Sequence, residues 1–505
     1  MRHSRKNNPM AHAMCACCDD ADDFIATTTS RRRFLTAGAA LVTGGAVAPM
    51  LSGPMLAQNT AATDPELARL QGGRILLKGG VVLTLDRQVG DFALADVLIE
   101  NGKIREIGPN ITVSDTAIAV VDAANRILIP GFVDTHSHSY QGLLRGILSN
   151  GLLPDYNRDV QTTLTPAYQA TEAYTGMLVT ALSMIDAGTT AMVDISQCSH
   201  TPEHSDALIK ALQESGMRVV FSYHRGAGPA QQYPQDIKRL QRTYFSSKDQ
   251  LLTLALTANL NANIYQLARE VEVPIVQHLV GADLNKQVQD LGSAGLMRPG
   301  DEYIHCLGIN ATTWKLIKDS GGHVSLCTTI DMTMGHGTPT IQEALDHGFR
   351  PSLSSDHAVS ITPDFFSLMR STFAFQRLQV LQRARKGEQN LPPLLNCRDL
   401  LEFATIEGAR CANIHAKVGT LTPGKEADIV MLRTDRLDVW PLNNVHGAVV
   451  NLMNPGHVDT VFIAGKVKKW RGNLVGVDMA RVLRLVQEAR DGLMRRAGFH
   501  MNMMG

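Results

Sequence analysis

Between residues 131 and 356, eight short apolar runs of strand length alternate with longer helical stretches. The runs are Phe132–Thr135, Ala191–Asp194, Val219–Tyr223, Leu252–Leu256, Ile275–His278, Tyr303–His305, His323–Leu326 and Pro351–Ser354. Helical stretches such as Tyr168–Asp186 and Asp206–Glu214 lie between them. Strands joined by crossover helices pair in parallel, because a hairpin cannot return the chain in the same direction. Eight such units point to a (β/α)8 barrel, whose site lies at the C-terminal ends of its strands. The fold class is therefore α/β, with a TIM barrel over residues 131–415.

The flanks have a different rhythm. Ile75-Leu76-Leu77, Val81–Leu85, Val97-Leu98-Ile99 and Ile104–Ile107 are short strand-like runs. Gly79-Gly80 and Asn101-Gly102 punctuate them, and Asn-Gly is a hairpin signal. Similar runs return at Ala427–Leu432 and Val458–Ile463. These segments predict a small β-sandwich split into residues 58–130 and 416–475, with the barrel inserted into it. Met479–Arg496 reads as a closing amphipathic helix within a C-terminal segment, 476–505.

Seventeen histidines are many for a chain with 48 basic and 48 acidic side chains and no net charge. Neutrality argues against nucleic acid as a partner, and 44% hydrophobic residues exclude an acidic, disordered chain. Four of the eight predicted strands end in, or just before, a metal-type ligand. The first gives His136-Ser137-His138, the fifth ends in His278, the sixth in His305, and the eighth runs into Asp356. Residues i and i+2 of a strand project to one side, so His136 and His138 can share one cation. A lone histidine is more often a satisfied core or surface residue. All five at C-terminal strand ends of one barrel argue for a common site.

The first 57 residues read as an address. Ser30-Arg31-Arg32-Arg33-Phe34-Leu35 opens an uncharged run through Thr36–Ala48, and Met55-Leu56-Ala57 ends it with a small-residue cleavage site. The paired arginines before Phe-Leu resemble a bacterial twin-arginine export signal, which places the mature chain in the periplasm or outside the cell. The run is too short and too glycine-rich for a membrane span, so no membrane partner is expected after its removal. Cleavage removes six of the 48 basic and four of the 48 acidic groups, leaving a net charge of −2. It also removes Cys15, Cys17 and Cys18, and the odd remainder of five cysteines implies no complete disulfide framework.

Motifs at both ends of the barrel carry a resemblance. Arg126-Ile127-Leu128-Ile129-Pro130-Gly131-Phe132-Val133-Asp134-Thr135-His136-Ser137-His138 opens it, and Ala187-Gly188-Thr189-Thr190 precedes Val193-Asp194. Near the end come Ala404-Thr405, Val418-Gly419-Thr420-Leu421 and Pro423-Gly424-Lys425-Glu426-Ala427-Asp428-Ile429-Val430. From about Ile75 to Lys466 the chain resembles the amidohydrolase superfamily, in its cytosine-deaminase and triazine-hydrolase-like branch. The resemblance implies one divalent metal, zinc or iron, on His136, His138, His278 and Asp356. It makes His305 an electrophile toward the substrate and Asp356 the proton carrier. No lysine lies in Leu251–Leu260, so the bridging carboxylated lysine of binuclear members is not evident. A possible homo-oligomer also follows from the resemblance.

One departure stands out. Deaminases of this branch carry a Glu three residues after the fifth-strand His, and here that place holds Gly281. Asp283 is the nearest carboxylate, and it reaches the mouth only if its loop bends inward. With one carboxylate for both proton steps, hydrolysis of an amide, urea, carbamate or lactam in a small molecule fits best. An aminohydrolase of a nitrogen heterocycle is the alternative, and a metal-bearing binding protein without catalysis is a second. His224 after the third strand and His336 after the seventh are candidate substrate contacts. Arg225 and Asn259 read as ordinary loop polarity, and Cys306 as a buried small residue.

Overall fold

The computed structural model describes residues 65–70, 73–114 and 118–504, so the export-signal reading of residues 1–57 lies outside the described residues. All eight expected barrel strands are present. They are preceded by β1 (Arg74–Val82), β2 (Phe92–Glu100), β3 (Lys103–Gly108), β4 (Ala119–Asp122) and β5 (Arg126–Pro130). The barrel strands are β6 (Phe132–Ser137), β7 (Thr189–Ser196), β8 (Arg218–Tyr223), β9 (Leu252–Thr257), β10 (Ile275–Val280), β11 (Glu302–Leu307), β12 (His323–Leu326) and β13 (Ser352–Leu353). After them come β14 (Ile429–Arg433), β15 (Val458–Ile463), β16 (Lys466–Trp470) and β17 (Asn473–Leu474).

Strands β6 to β13 pair in sequence order, all in parallel. The ring is nearly closed. A single parallel bridge between Ser137 and Asp356 joins the last strand to the first. The Asp356 N–H donates to the His136 carbonyl at 2.9 Å, and the His138 N–H donates to the Asp356 carbonyl at 2.6 Å.

The strands of the β module form one continuous hydrogen-bonded sheet, in the order β17-β16-β15-β14-β5-β1-β2-β3, with β4 also on β1. The long β1 makes this possible. Its first half pairs with β4 and its far end with β5, with register shifts around Gly80. A Cβ at Gly80 would meet a Leu128 methyl at 2.5 Å and the Ala123 Cβ at 3.2 Å, so glycine lets these neighbours pack close to β1. The sheet curls, because Ile104 and Lys425 hydrogen-bond through their backbones and return the β3 edge to the approach of β14. N- and C-terminal segments meet in the antiparallel β5/β14 pair. Alternation then divides the cores. Ile127, Ile129, Val430 and Leu432 belong to the barrel core, while Leu128, Ile429 and Met431 belong to the sheet's own.

A buried ion pair locks sheet to barrel. The Arg218 guanidinium on β8 donates to both Asp428 oxygens at 3.0 and 2.9 Å and to Glu426 at 2.6 Å. The closing helix runs Met479–Ala497, capped by Asp478 at its start and by left-handed Gly498 at its end. Among the described residues, no helix is long and apolar enough to cross a membrane.

Candidate metal centre

The five residues expected at the barrel mouth converge. His136 Nε2 lies 3.2 Å and His138 Nε2 3.4 Å from Asp356 Oδ1. The His278 ring stands edge-on to His136 at 4.7 Å and parallel to His138 at 5.6 Å. One ring nitrogen from each of His136, His138 and His278 lies within 4.8 Å of the others. His305 Nε2 faces Asp356 Oδ2 from 3.8 Å.

The backbone is shaped to do this. His305 (φ 63°) and Asp356 (φ 63°) both sit in the left-handed region, which costs a non-glycine residue about 1–3 kcal/mol and is often kept at functional positions. Neighbours hold both in place. The Thr340 hydroxyl donates to the His305 carbonyl at 2.8 Å, and the barrel seam fixes Asp356. Asp134 ties the two ends of the seam together. Its carboxylate accepts from the His136 and Ser355 N–H groups, each at 3.1 Å, and from the Ser355 hydroxyl.

Electrostatics suit a divalent cation. Burial depresses the pKa of His136, and more strongly those of His138 and His278, which also repel one another as cations. The shifts favour the neutral imidazole in all three, the form in which histidine can serve as a ligand. Burial opposes ionisation of Asp356, but the facing imidazoles of His357, His136 and His305 overcome it and hold its pKa well below the usual range. Neutral imidazoles with one carboxylate form a donor set that zinc and related first-row cations accept.

His305 differs from the other three. Burial disfavours its charged form, but the Asp331 carboxylate outweighs this and raises its pKa. Its Nδ1 lies 2.8 Å from Asp331 Oδ1, leaving Nε2 toward Asp356. His336 lies beside it, with ring centroids 5.4 Å apart. His224 is buried with its Nδ1 2.8 Å from the Arg225 carbonyl, and burial lowers its pKa to about 4. Arg225 and Asn259 are exposed. Cys306 is buried, its thiol 3.6 Å from the Tyr303 carbonyl.

Two residues of the site escaped sequence reasoning. Cys327 follows the last residue of β12, and its sulfur groups with ligand atoms of His136, His305 and Asp356 within 4.8 Å. The strand-end rule could have found it. Asp331 lies on the short helix Thr328–Thr333, where no strand-end signal points. At the departure point, Gly281 has φ 124°, and the exposed Asp283 places Oδ1 against the position where a side-chain carbon of residue 281 would start.

A nearly closed parallel barrel with imidazoles and a carboxylate gathered at its C-terminal mouth defines a metal-dependent hydrolase. Residues 127–468 match the amidohydrolase family. The chain belongs to that family, and is a hydrolase of carbon–nitrogen bonds other than peptide bonds. A 5-methylthioadenosine/S-adenosylhomocysteine deaminase of Caldicellulosiruptor saccharolyticus is 25% identical over 434 residues, covering 82% of this chain and 97% of the relative. A 5'-deoxyadenosine deaminase of Methanosarcina mazei is 24% identical over 451 residues, covering 84% and 99%. In structure, the chain is similar to a zinc-bound adenosine deaminase from Xanthomonas campestris, with a TM-score of 0.72, 20% identity and coverage of 83% and 98%. It is equally similar to the zinc complex of an atrazine chlorohydrolase from Arthrobacter aurescens, with a TM-score of 0.72, 19% identity and coverage of 82% and 100%.

Proposed function

We propose that the chain hydrolyses an amide, urea, carbamate or lactam bond in a small molecule, using zinc held by His136, His138, His278 and Asp356. The observation that carries this reading is Gly281, which among the described residues leaves Asp356 as the one carboxylate grouped with the three imidazoles, where the family resemblance implies a second in deaminases. When bound, such a cation brings the pKa of a water toward ~7. Asp356 accepts the proton of the attacking water and returns it to the departing nitrogen. Water adds to the carbonyl carbon, the carbon–nitrogen bond breaks, and the amine leaves with that proton. His305, anchored on Asp331, whose carboxylate raises its pKa, presents Nε2–H to the oxygen where negative charge builds. His224 is the proposed side chain that meets the substrate beyond the reacting bond.

Deamination of a nitrogen heterocycle is the second reading. The deaminase names of the relatives favour it, as does the Asp283 oxygen lying where a residue 281 side chain would begin. The test is a hydrolysis screen of the zinc-loaded protein read by product mass. Loss of a substituted amine supports the first reading, and ammonia released from a ring supports the second.

We also propose export to the periplasm or beyond, on the sequence at Arg31-Arg32 and Ala57 alone. Lysines at both arginines should hold the uncleaved chain in the cytoplasm, which cell fractionation reads directly.

A further inference from the structure

We propose a second cation site beside the first, built from Asp331, His336 and the far nitrogen of His305. It rests on the metal centre described above and extends it. His305 Nδ1 lies 2.8 Å and His336 Nδ1 3.5 Å from the same oxygen, Asp331 Oδ1. One ligand atom from each of the three residues lies within 4.8 Å of the others.

Neighbouring groups leave this cluster unsatisfied. Both ring nitrogens of His336 and the Asp331 Oδ2 are buried without a hydrogen-bond partner. The His336 side chain is 7% exposed and that of Asp331 is fully buried. Leaving such atoms unpaired costs about 1–3 kcal/mol each. At 3.5 Å, His336 Nδ1 is too far from the carboxylate for a good hydrogen bond. Two donors ~2.0–2.1 Å from one tetrahedral cation stand roughly 3.3 Å apart, between the two separations found here. Two imidazoles and one carboxylate suit zinc or a neighbouring first-row cation, with a fourth position open.

His305 thereby joins the two sites through its two nitrogens. A cation on Nδ1 needs that nitrogen free of its proton, so the ring proton stands on Nε2. The cation then replaces the Nδ1 proton in polarising Nε2–H toward the substrate. His336 is thus assigned to a cation rather than to the substrate contact its sequence position suggests.

The test is zinc content of the full chain after chelator stripping, reloading and desalting, read by mass spectrometry of the metal. Wild type should hold one equivalent more than Asp331→Asn and one more than His336→Ala. Both variants should keep the equivalent that His138→Ala loses. Comparison by difference cancels any zinc on Cys15, Cys17 and Cys18, and Asp331→Asn preserves side-chain size against misfolding. Equal zinc in wild type and both variants, with His138→Ala one short, overturns the second site and leaves the first. Equal zinc in all four overturns both.

Discussion

His138 and Asp356 are joined twice, through the backbone and through their side chains. The His138 N–H donates to the Asp356 carbonyl at 2.6 Å, and its Nε2 lies 3.4 Å from the Asp356 carboxylate. The bond that draws the ends of the barrel together therefore also sets the spacing of the two side chains proposed to hold the metal.

This separates the structural role of Asp356 from the role proposed for it in the proton steps. Asp356→Asn keeps the backbone bonds of the seam, so thermal unfolding should remain a single cooperative transition. Turnover should fall by about 10²–10⁴, the contribution typical of a general base. Normal turnover in a metal-loaded variant would remove Asp356 from the proton steps.

Arg218 is the clasp between sheet and barrel. Arg218→Met leaves the Asp428 carboxylate buried without its bidentate partner, a loss of about 3–5 kcal/mol. Denaturant unfolding should show that loss with little change in substrate KM, because Arg218 enters β8 at the end away from the mouth.

His224 makes the fold sensitive to acid. Its pKa falls from 6.5 to about 4 on burial, so the folded state resists protonation that the unfolded chain accepts. A depressed folded pKa gives stability that is complete above pH 6.5 and lost as pH falls through about 4. The full difference is about 3 kcal/mol. His224→Asn should flatten the stability curve across that window, read by denaturant midpoints at each pH.

Asp283 separates the two chemistries. Asp283→Asn should leave kcat unchanged if the leaving amine takes its proton from Asp356. A fall of about a hundredfold would make Asp283 the missing acid of a deaminase.

The barrel was legible because its strands are buried on both faces and read as unbroken apolar runs. His136, His138, His278, His305 and Asp356 were legible because each stands within three residues of the C-terminal end of a strand, where topology alone brings distant residues together. The left-handed turns at His305 and Asp356 left no mark, since neither position carries the glycine that usually signals one. Asp331 was hidden for another reason. It meets His305 across 26 residues from a short helix, and no local periodicity encodes that contact. The continuous hydrogen bonding of the β module was also hidden, because it depends on the bulged β1, which pairs with β2, β4 and β5.

The most direct measurement is the mass of the product formed by the zinc-loaded protein from a panel of amides, ureas, carbamates, lactams and aminoheterocycles. The expected result is cleavage by addition of water with loss of a substituted amine, abolished by chelation and restored by zinc. Exchange of a ring amino group for oxygen with release of ammonia, and no cleavage of the other classes, would contradict it.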